Sequence, residues 1–258
     1  MTDSKEGMAS LNDRGWIQLA GVVSPPLIDR LRFDLQRASL ACRAIQQRNG
    51  LLGNIDGTVH HVVGQGESFL ELIDVLPVGI IERYFEAKFI LNSFGGVINL
   101  RNHPSYVCTV HRDLRTYSGS TPAMLNLLLM LDDFTLENGA TYLLSASHKA
   151  DICPTDADFF LKAERAIGAA GSVVLFNSNL WHAAGINTTD IPRRALTLTF
   201  TRPFIKPQFD YPRMLGYDRA EQFSELRKQI LGYYSRIPAT LEEWYQPPAR
   251  RMYRSGQG

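Results

Sequence analysis

His111, Arg112 and Asp113 set an imidazole and a carboxylate two residues apart. In an extended segment, side chains at i and i+2 share a face. An imidazole nitrogen and a carboxylate oxygen then point into one space. That pair is half of a facial triad of two histidines and one carboxylate. Such a triad leaves metal positions open and favours non-haem Fe(II). The third ligand must come from a distant strand end, and His148 and His182 are the candidates. His148 lies in Ser145-Ala146-Ser147-His148-Lys149, which has the composition of a turn. His182 follows the strongly β segment 171–176 after the polar turn Asn177-Ser178-Asn179. His182 is therefore the expected partner of His111 and Asp113.

Eleven residues past His182 stands Arg193. Alternation puts Arg193, Ala195, Thr197 and Thr199 on one face of a strand. Arg194, Leu196, Leu198 and Phe200 take the other, which suits packing against helices. A guanidinium on the inward face can fork onto a carboxylate with two hydrogen bonds. A metal-bound 2-oxoacid needs that at its far end. Asn99 and Asn126 are polar residues on expected strands, and both are candidates to contact the same cosubstrate. The substrate side has its own candidates. His60 and His61 sit in the glycine-rich stretch 50–66, which reads as a lid that also carries Asn54 and Asp56. After the metal motif come Arg115, Tyr117, Ser118 and Ser120.

These residues need a scaffold of strands. Short β-rich segments are expected at 89–91, 97–100, 106–110, 126–131, 140–144, 172–176 and 195–201. Many short strands separated by turn signals suggest a sandwich or barrel. Helices are expected at 25–47, 68–85, 157–167 and 219–234, and residues 1–13 read as frayed. Ser24 is placed to cap the first helix, with Pro25 and Pro26 in its first turn. Leu27, Leu31, Leu35 and Leu40 fall near one face of it. The expected fold is mainly β with flanking helices, a double-stranded β-helix (jelly roll, cupin-like). One domain spans 1–258, with the jelly-roll core at about 89–204. N-terminal helices and the lid occupy 14–88, and a helical tail 205–258. In that tail Trp244 and Tyr245 read as packing residues.

Composition narrows the partners. Lys and Arg total 27 against 26 Asp and Glu, a net charge of +1. No field of one sign draws nucleic acid or a membrane surface. The expected partner is a small molecule, with no nucleic acid and no membrane; composition sets no oligomeric state. Cys42, Cys108 and Cys153 are widely spaced and odd in number. They read as reduced, buried or half-buried thiols in the cytoplasm. The polar start, 1–7, has no apolar run behind it, so no signal peptide is expected.

The ordered segments resemble the phytanoyl-CoA dioxygenase family of Fe(II)/2-oxoglutarate oxygenases. They are His111-Arg112-Asp113, the run 131–141 ending in Asn138-Gly139-Ala140-Thr141, the turn at 145–149, the strand 171–176, Trp181-His182, and Pro192-Arg193-Arg194-Ala195-Leu196. The resemblance implies a double-stranded β-helix and the use of Fe(II), 2-oxoglutarate and O2, with succinate and CO2 released. It implies His111, Asp113 and His182 as ligands and Arg193 as the clamp. Asp113 matters for outcome, because relatives that halogenate lack this carboxylate. Hydroxylation is expected, with ring closure or desaturation open to the same site. This chain departs from the family at Ala184 and Leu128, where Ser and Trp are common; Asn126 is the substitute donor. Two other classes stay open: a cupin-type metal enzyme without 2-oxoglutarate, and a non-catalytic jelly-roll binding module. An outward-pointing Arg193 would favour the first of these.

Overall fold

A computed structural model describes residues 4–51 and 57–258. The chain opens with helix α1 (Ser4–Asp13) and strand β1 (Trp16–Leu19). Helix α2 (Pro25–Arg48) leads to β2 (Thr58–His60), followed by α3 (Glu67–Asp74), α4 (Val78–Phe85) and β3 (Ile90–Asn99). Strands β4 (Met124–Met130) and β5 (Tyr142–Leu143) precede α5 (Asp156–Lys162) and β6 (Glu164–Arg165). Then come β7 (Val173–Asn177), β8 (His182–Ala183) and β9 (Arg193–Thr201). The tail carries α6 (Tyr211–Leu215), α7 (Glu225–Ile230) and α8 (Leu241–Trp244).

Six strands form the larger antiparallel sheet in the order β1-β7-β4-β9-β3-β2. The smaller sheet is β6-β5-β8. The pleat sorts side chains onto two layers. Leu125, Leu127, Leu129, Val173, Leu175, Leu196, Leu198 and Phe200 face the helices and join the main core. Leu128, Met130, Val174, Phe176 and Ala195 face the smaller sheet, where they meet Phe134, Ala140 and Leu143. This is the jelly roll with flanking helices that the strand pattern predicts. Among the described residues no helix is long and apolar enough to cross a membrane.

Helix α2 seals the outer face of the sheet with Leu27, Ile28, Leu31, Leu35 and Ala38. Leu40 is not part of that stripe; it is 64% exposed, and Ala38 takes the inward place. Ser24 stands at the N-cap, but its side chain makes no cap hydrogen bond. Only its carbonyl serves, accepting from the amides of Leu27 and Ile28. Leu31→Ala is expected to cost about 2–5 kcal/mol, because the side chain is fully buried. Leu40→Ala should stay within about 0.5 kcal/mol. Urea midpoints for the two variants check the assignment, and equal losses would refute it.

Several local expectations are corrected. Residues 4–13 are helical rather than frayed, and Leu11 is buried in the core. The helix expected over 68–85 is two, α3 and α4, broken at Leu76-Pro77. A residue before proline is driven out of the α region. The helix expected at 157–167 ends at Lys162, and residues 219–234 hold a short 3-10 turn and then α7. Strands expected at 89–91 and 97–100 are one strand, β3, with a register shift between Leu91 and Ser93. The expected strand at 106–110 is a 3-10 turn at Tyr106–Cys108. The stretch from 57 to 66 is not a free lid: Thr58–His60 pairs with β3, and Val62 and Val63 are buried. Asn54 and Asp56 lie outside the described residues. Trp244 and Tyr245 are exposed rather than packed, and Cys153 is exposed too.

Candidate metal centre

The backbone itself joins the two histidines. His111 and His182 exchange both hydrogen bonds of an antiparallel bridge, at 3.0 and 2.8 Å. Leu114 N–H also bonds Ser178 O, and Ala184 N–H bonds Val107 O. The irregular segment 107–114 therefore runs beside 178–184 without being a regular strand. The bridge sets the two imidazole rings 4.2 Å apart between centroids. Asp113 completes the group: its carboxylate oxygens stand 3.7 Å from Nε2 of His111 and 3.7 Å from Nε2 of His182. One ligand atom from each residue lies within 4.8 Å of the others.

Hydrogen bonds decide which nitrogens face the centre. His111 Nδ1 lies 2.7 Å from Thr109 O, and His182 Nδ1 lies 3.0 Å from Leu180 O. A carbonyl only accepts, so each Nδ1 carries the proton. Each Nε2 then offers a lone pair inward, the arrangement that orients metal-binding histidines. Burial pushes the His111 imidazole down to about 4, and the neighbouring His182 adds to this. Close approach of neutral His111 to Asp113 is thus a donor set rather than an ion pair. Asn126 Nδ2 donates to Asp113 Oδ2 at 2.6 Å, and Thr199 Oγ1 donates to Asn126 Oδ1 at 3.0 Å. The edge of Phe176 packs on His182 at 4.8 Å. Arg112 points away, bonded to Asp151 and 5.3 Å from the Trp181 ring.

The cluster opens into a cavity of about 400 Å³ whose lining includes Arg193, Thr197 and Thr199. Arg193 points inward and is 1% exposed. Its guanidinium lies 4.3 Å from the Phe134 ring, and one terminal nitrogen donates to Gly139 O at 3.1 Å. Its Nε is buried with no partner among the described residues. Arg194, on the outer face, forks onto Asp132 at 2.8 and 2.9 Å. This is the division of faces that alternation predicts.

His60, His61 and Arg115 also line the cavity. His60 Nε2 meets the Tyr106 hydroxyl at 3.1 Å. His61 stacks on Phe209 at 4.3 Å and meets the Tyr211 hydroxyl at 3.2 Å. Burial pushes both imidazoles below the usual histidine range. Three sequence candidates are placed elsewhere. Asn99 is buried against the loop beyond β8, donating to Gly185 O at 2.9 Å, and does not line the cavity. Tyr117 lies 5.7 Å from the Arg112 guanidinium instead. Ser118 bonds Asn179 and Thr121. Tyr106, Gln208 and Ser93 line the cavity and were not among the candidates. Tyr106 was hidden inside an apolar run, and Gln208 lies in irregular chain where no period marks a face. His148 is remote from the cluster, with Nε2 3.2 Å from Asn12 O. Its ring fills the space where a Cβ on Gly15 would stand, 2.4 Å from Nδ1.

A jelly roll with two histidines and a carboxylate at the cavity is the arrangement of a non-haem metal oxygenase. The chain belongs to the phytanoyl-CoA dioxygenase family. The family description "Phytanoyl-CoA dioxygenase (PhyH)" matches residues 98–195. The chain is 36% identical over 197 residues to uncharacterized protein Rv1501 of Mycobacterium tuberculosis, covering 74% of this chain and 71% of that one. It is 30% identical over 138 residues to dioxygenase FUM3 of Gibberella moniliformis, covering 50% and 45% of the two chains. The fold is also that of HygX from Streptomyces hygroscopicus, a structure with nickel and 2-oxoglutarate bound. There the TM-score is 0.60 at 15% identity, over 81% of this chain and 90% of that one.

Proposed function

We propose that this chain is an Fe(II)- and 2-oxoglutarate-dependent oxygenase acting on a small or medium polar metabolite, as in natural-product biosynthesis. It hydroxylates the substrate or oxidises it otherwise, for example by ring closure, and releases succinate and CO2. The carrying observation is Arg193, a buried guanidinium with an unpartnered Nε in the same cavity as the donor cluster. A buried cation without an anion is costly. The distal carboxylate of a 2-oxoacid supplies that anion. Burial lowers the Arg193 guanidinium to about 10, so it stays charged at neutral pH. A cupin-type enzyme without 2-oxoglutarate has no use for this inward charge.

His111, Asp113 and His182 would hold iron, and Arg193 with Phe134 behind it would hold the 2-oxoacid. Bound there, the ion and the 2-oxoacid would supply O2 activation and C–H oxidation. The protein's own part is orientation. Thr199 fixes the Asn126 amide, and Asn126 holds one carboxylate oxygen of Asp113. Leu128, Phe176 and Ala184 give the cavity apolar wall near the cluster and limit water there. We read the described elements as one catalytic domain. We place it in the cytoplasm, where the thiols of Cys42, Cys108 and Cys153 stay free.

The polar substrate follows from the lining. Thr58, His60, His61, Ser93, Tyr106 and Gln208 bring polar atoms to the cavity. Covering such polar atoms with an alkyl chain removes their water and costs free energy. Succinate release measured side by side with polar metabolites and long-chain acyl-CoAs tests the reading. Substrate-stimulated release is expected with a polar compound. Tightly coupled turnover of a long-chain acyl-CoA would overturn the substrate class, and failure to bind Fe(II) would overturn the enzyme.

A further inference from the structure

Among the described residues, the cavity lining holds one cation that neither the donor cluster nor the 2-oxoacid uses. Arg115 lines it and is exposed. Among the described residues its guanidinium makes no hydrogen bond and no ion pair. Other arginines around the site are paired: Arg112 with Asp151, Arg101 with Asp190, Arg194 with Asp132. Arg115 stands close enough for its charge to act on the Tyr106 hydroxyl and on the His111 ring. Tyr106 in turn bonds His60 Nε2. The guanidinium thus shares the cavity with two further hydrogen-bonding side chains.

The charges of the loaded cavity single it out. A divalent metal with Asp113 leaves one positive charge. A dianionic 2-oxoacid on Arg193 leaves one negative charge, and the two cancel. Of the remaining lining residues among those described, only Arg115 carries a formal charge, with His60 and His61 pushed below the usual histidine range. We infer that Arg115 is the anion anchor of the substrate site and that the substrate carries a carboxylate. This rests on the oxygenase reading above. A planar guanidinium takes a carboxylate through two parallel hydrogen bonds. One surplus charge matches a monoanion better than a phosphate dianion. Exposure fits the role as well, since Arg115 stays hydrated until the carboxylate arrives and no unpaired cation is buried.

The test uses the full chain loaded anaerobically with Fe(II) and saturating 2-oxoglutarate. Binding of N-acetylated amino acids, of their primary amides and of small phosphate monoesters is measured by calorimetry. Acids are expected to bind roughly tenfold or more tightly than the matching amides, the scale of a hydrogen bond to a charged group. Arg115→Gln should erase that preference, and Arg115→Lys should keep part of it. Affinity for Fe(II) and 2-oxoglutarate should be unchanged in both variants. Equal binding of acid and amide, a preference that survives Arg115→Gln, tighter binding of phosphates, or no acid binding at all would overturn the inference. Fe(II) and 2-oxoglutarate binding to the wild type are measured first. Their failure would sink the oxygenase reading, whereas their success without an acid preference would sink only the role of Arg115.

Discussion

Replacing His182 by alanine is expected to abolish succinate release and to weaken Fe(II) binding by more than a hundredfold. Even losing an outer partner of a metal ligand typically costs about 10–100-fold in affinity. In the proposed site His182 is itself a ligand rather than an outer partner. Its Nε2 faces Asp113 at 3.7 Å while its Nδ1 is held by Leu180 O. Two remaining donors cannot hold the ion firmly in a site that must also leave positions open. His148→Ala is the matched control. That ring is equally buried but sits against Asn12 and Gly15, away from the cluster. It should bind iron like the wild type, though its removal leaves a void beside Gly15. Iron affinity, measured apart from turnover, separates the two variants. Normal iron binding and turnover in His182→Ala would show that the cluster is not the metal site.

The regular strands were legible because burial constrains both their faces. On β9 the outer face must bury Leu196, Leu198 and Phe200 under the helices. A slip of one residue would expose all three. Arg193 is thereby committed to the inner face. On β4 the same logic puts Asn126 inside, next to Asp113. Where no such two-sided constraint exists, periodicity misleads. Tyr106-Val107-Cys108-Thr109-Val110 has the composition of a strand, yet its first half is a 3-10 turn. Cys108 N–H and Thr109 N–H bond locally to Ser105 O and Tyr106 O, while Val107 O, His111 and Leu114 pair with residues 178–184, a long-range pairing that leaves no local period. Asn99 fails differently. It lies on a true strand, but at its end, where the side chain turns to Gly185 O and away from the cavity. Tyr117 belongs to a loop whose faces are set by the Arg112 guanidinium rather than by alternation. The grouping of His111, Asp113 and His182 was readable from residue type and spacing, helped for His182 by the buried strand β7 before it, whereas the chain before His111 is a 3-10 turn and gave no such guide.

Arg193→Ala should raise the apparent KM for 2-oxoglutarate tenfold or more. A hydrogen bond to a charged group contributes about 1.5–3 kcal/mol, and 1.4 kcal/mol is a tenfold change. The residue lines the cavity, makes one bond to Gly139 O, and has a buried Nε with no partner among the described residues. Much of its donor capacity is therefore free for a carboxylate. Phe134, 4.3 Å away, backs the guanidinium and limits its movement. Arg193→Lys should recover little, because an ammonium cannot reproduce the planar fork. Arg194→Ala provides the contrast. Its fork onto Asp132 joins strand to loop on the outer face, where Arg32 also reaches the same carboxylate at 3.2 Å. That variant should lose stability and keep its KM. Binding of 2-oxoglutarate to the metal-loaded proteins, followed by calorimetry, gives a readout independent of turnover. Unchanged affinity in Arg193→Ala together with weakened affinity in Arg194→Ala would assign the clamp to the outer arginine and require β9 to present the opposite face.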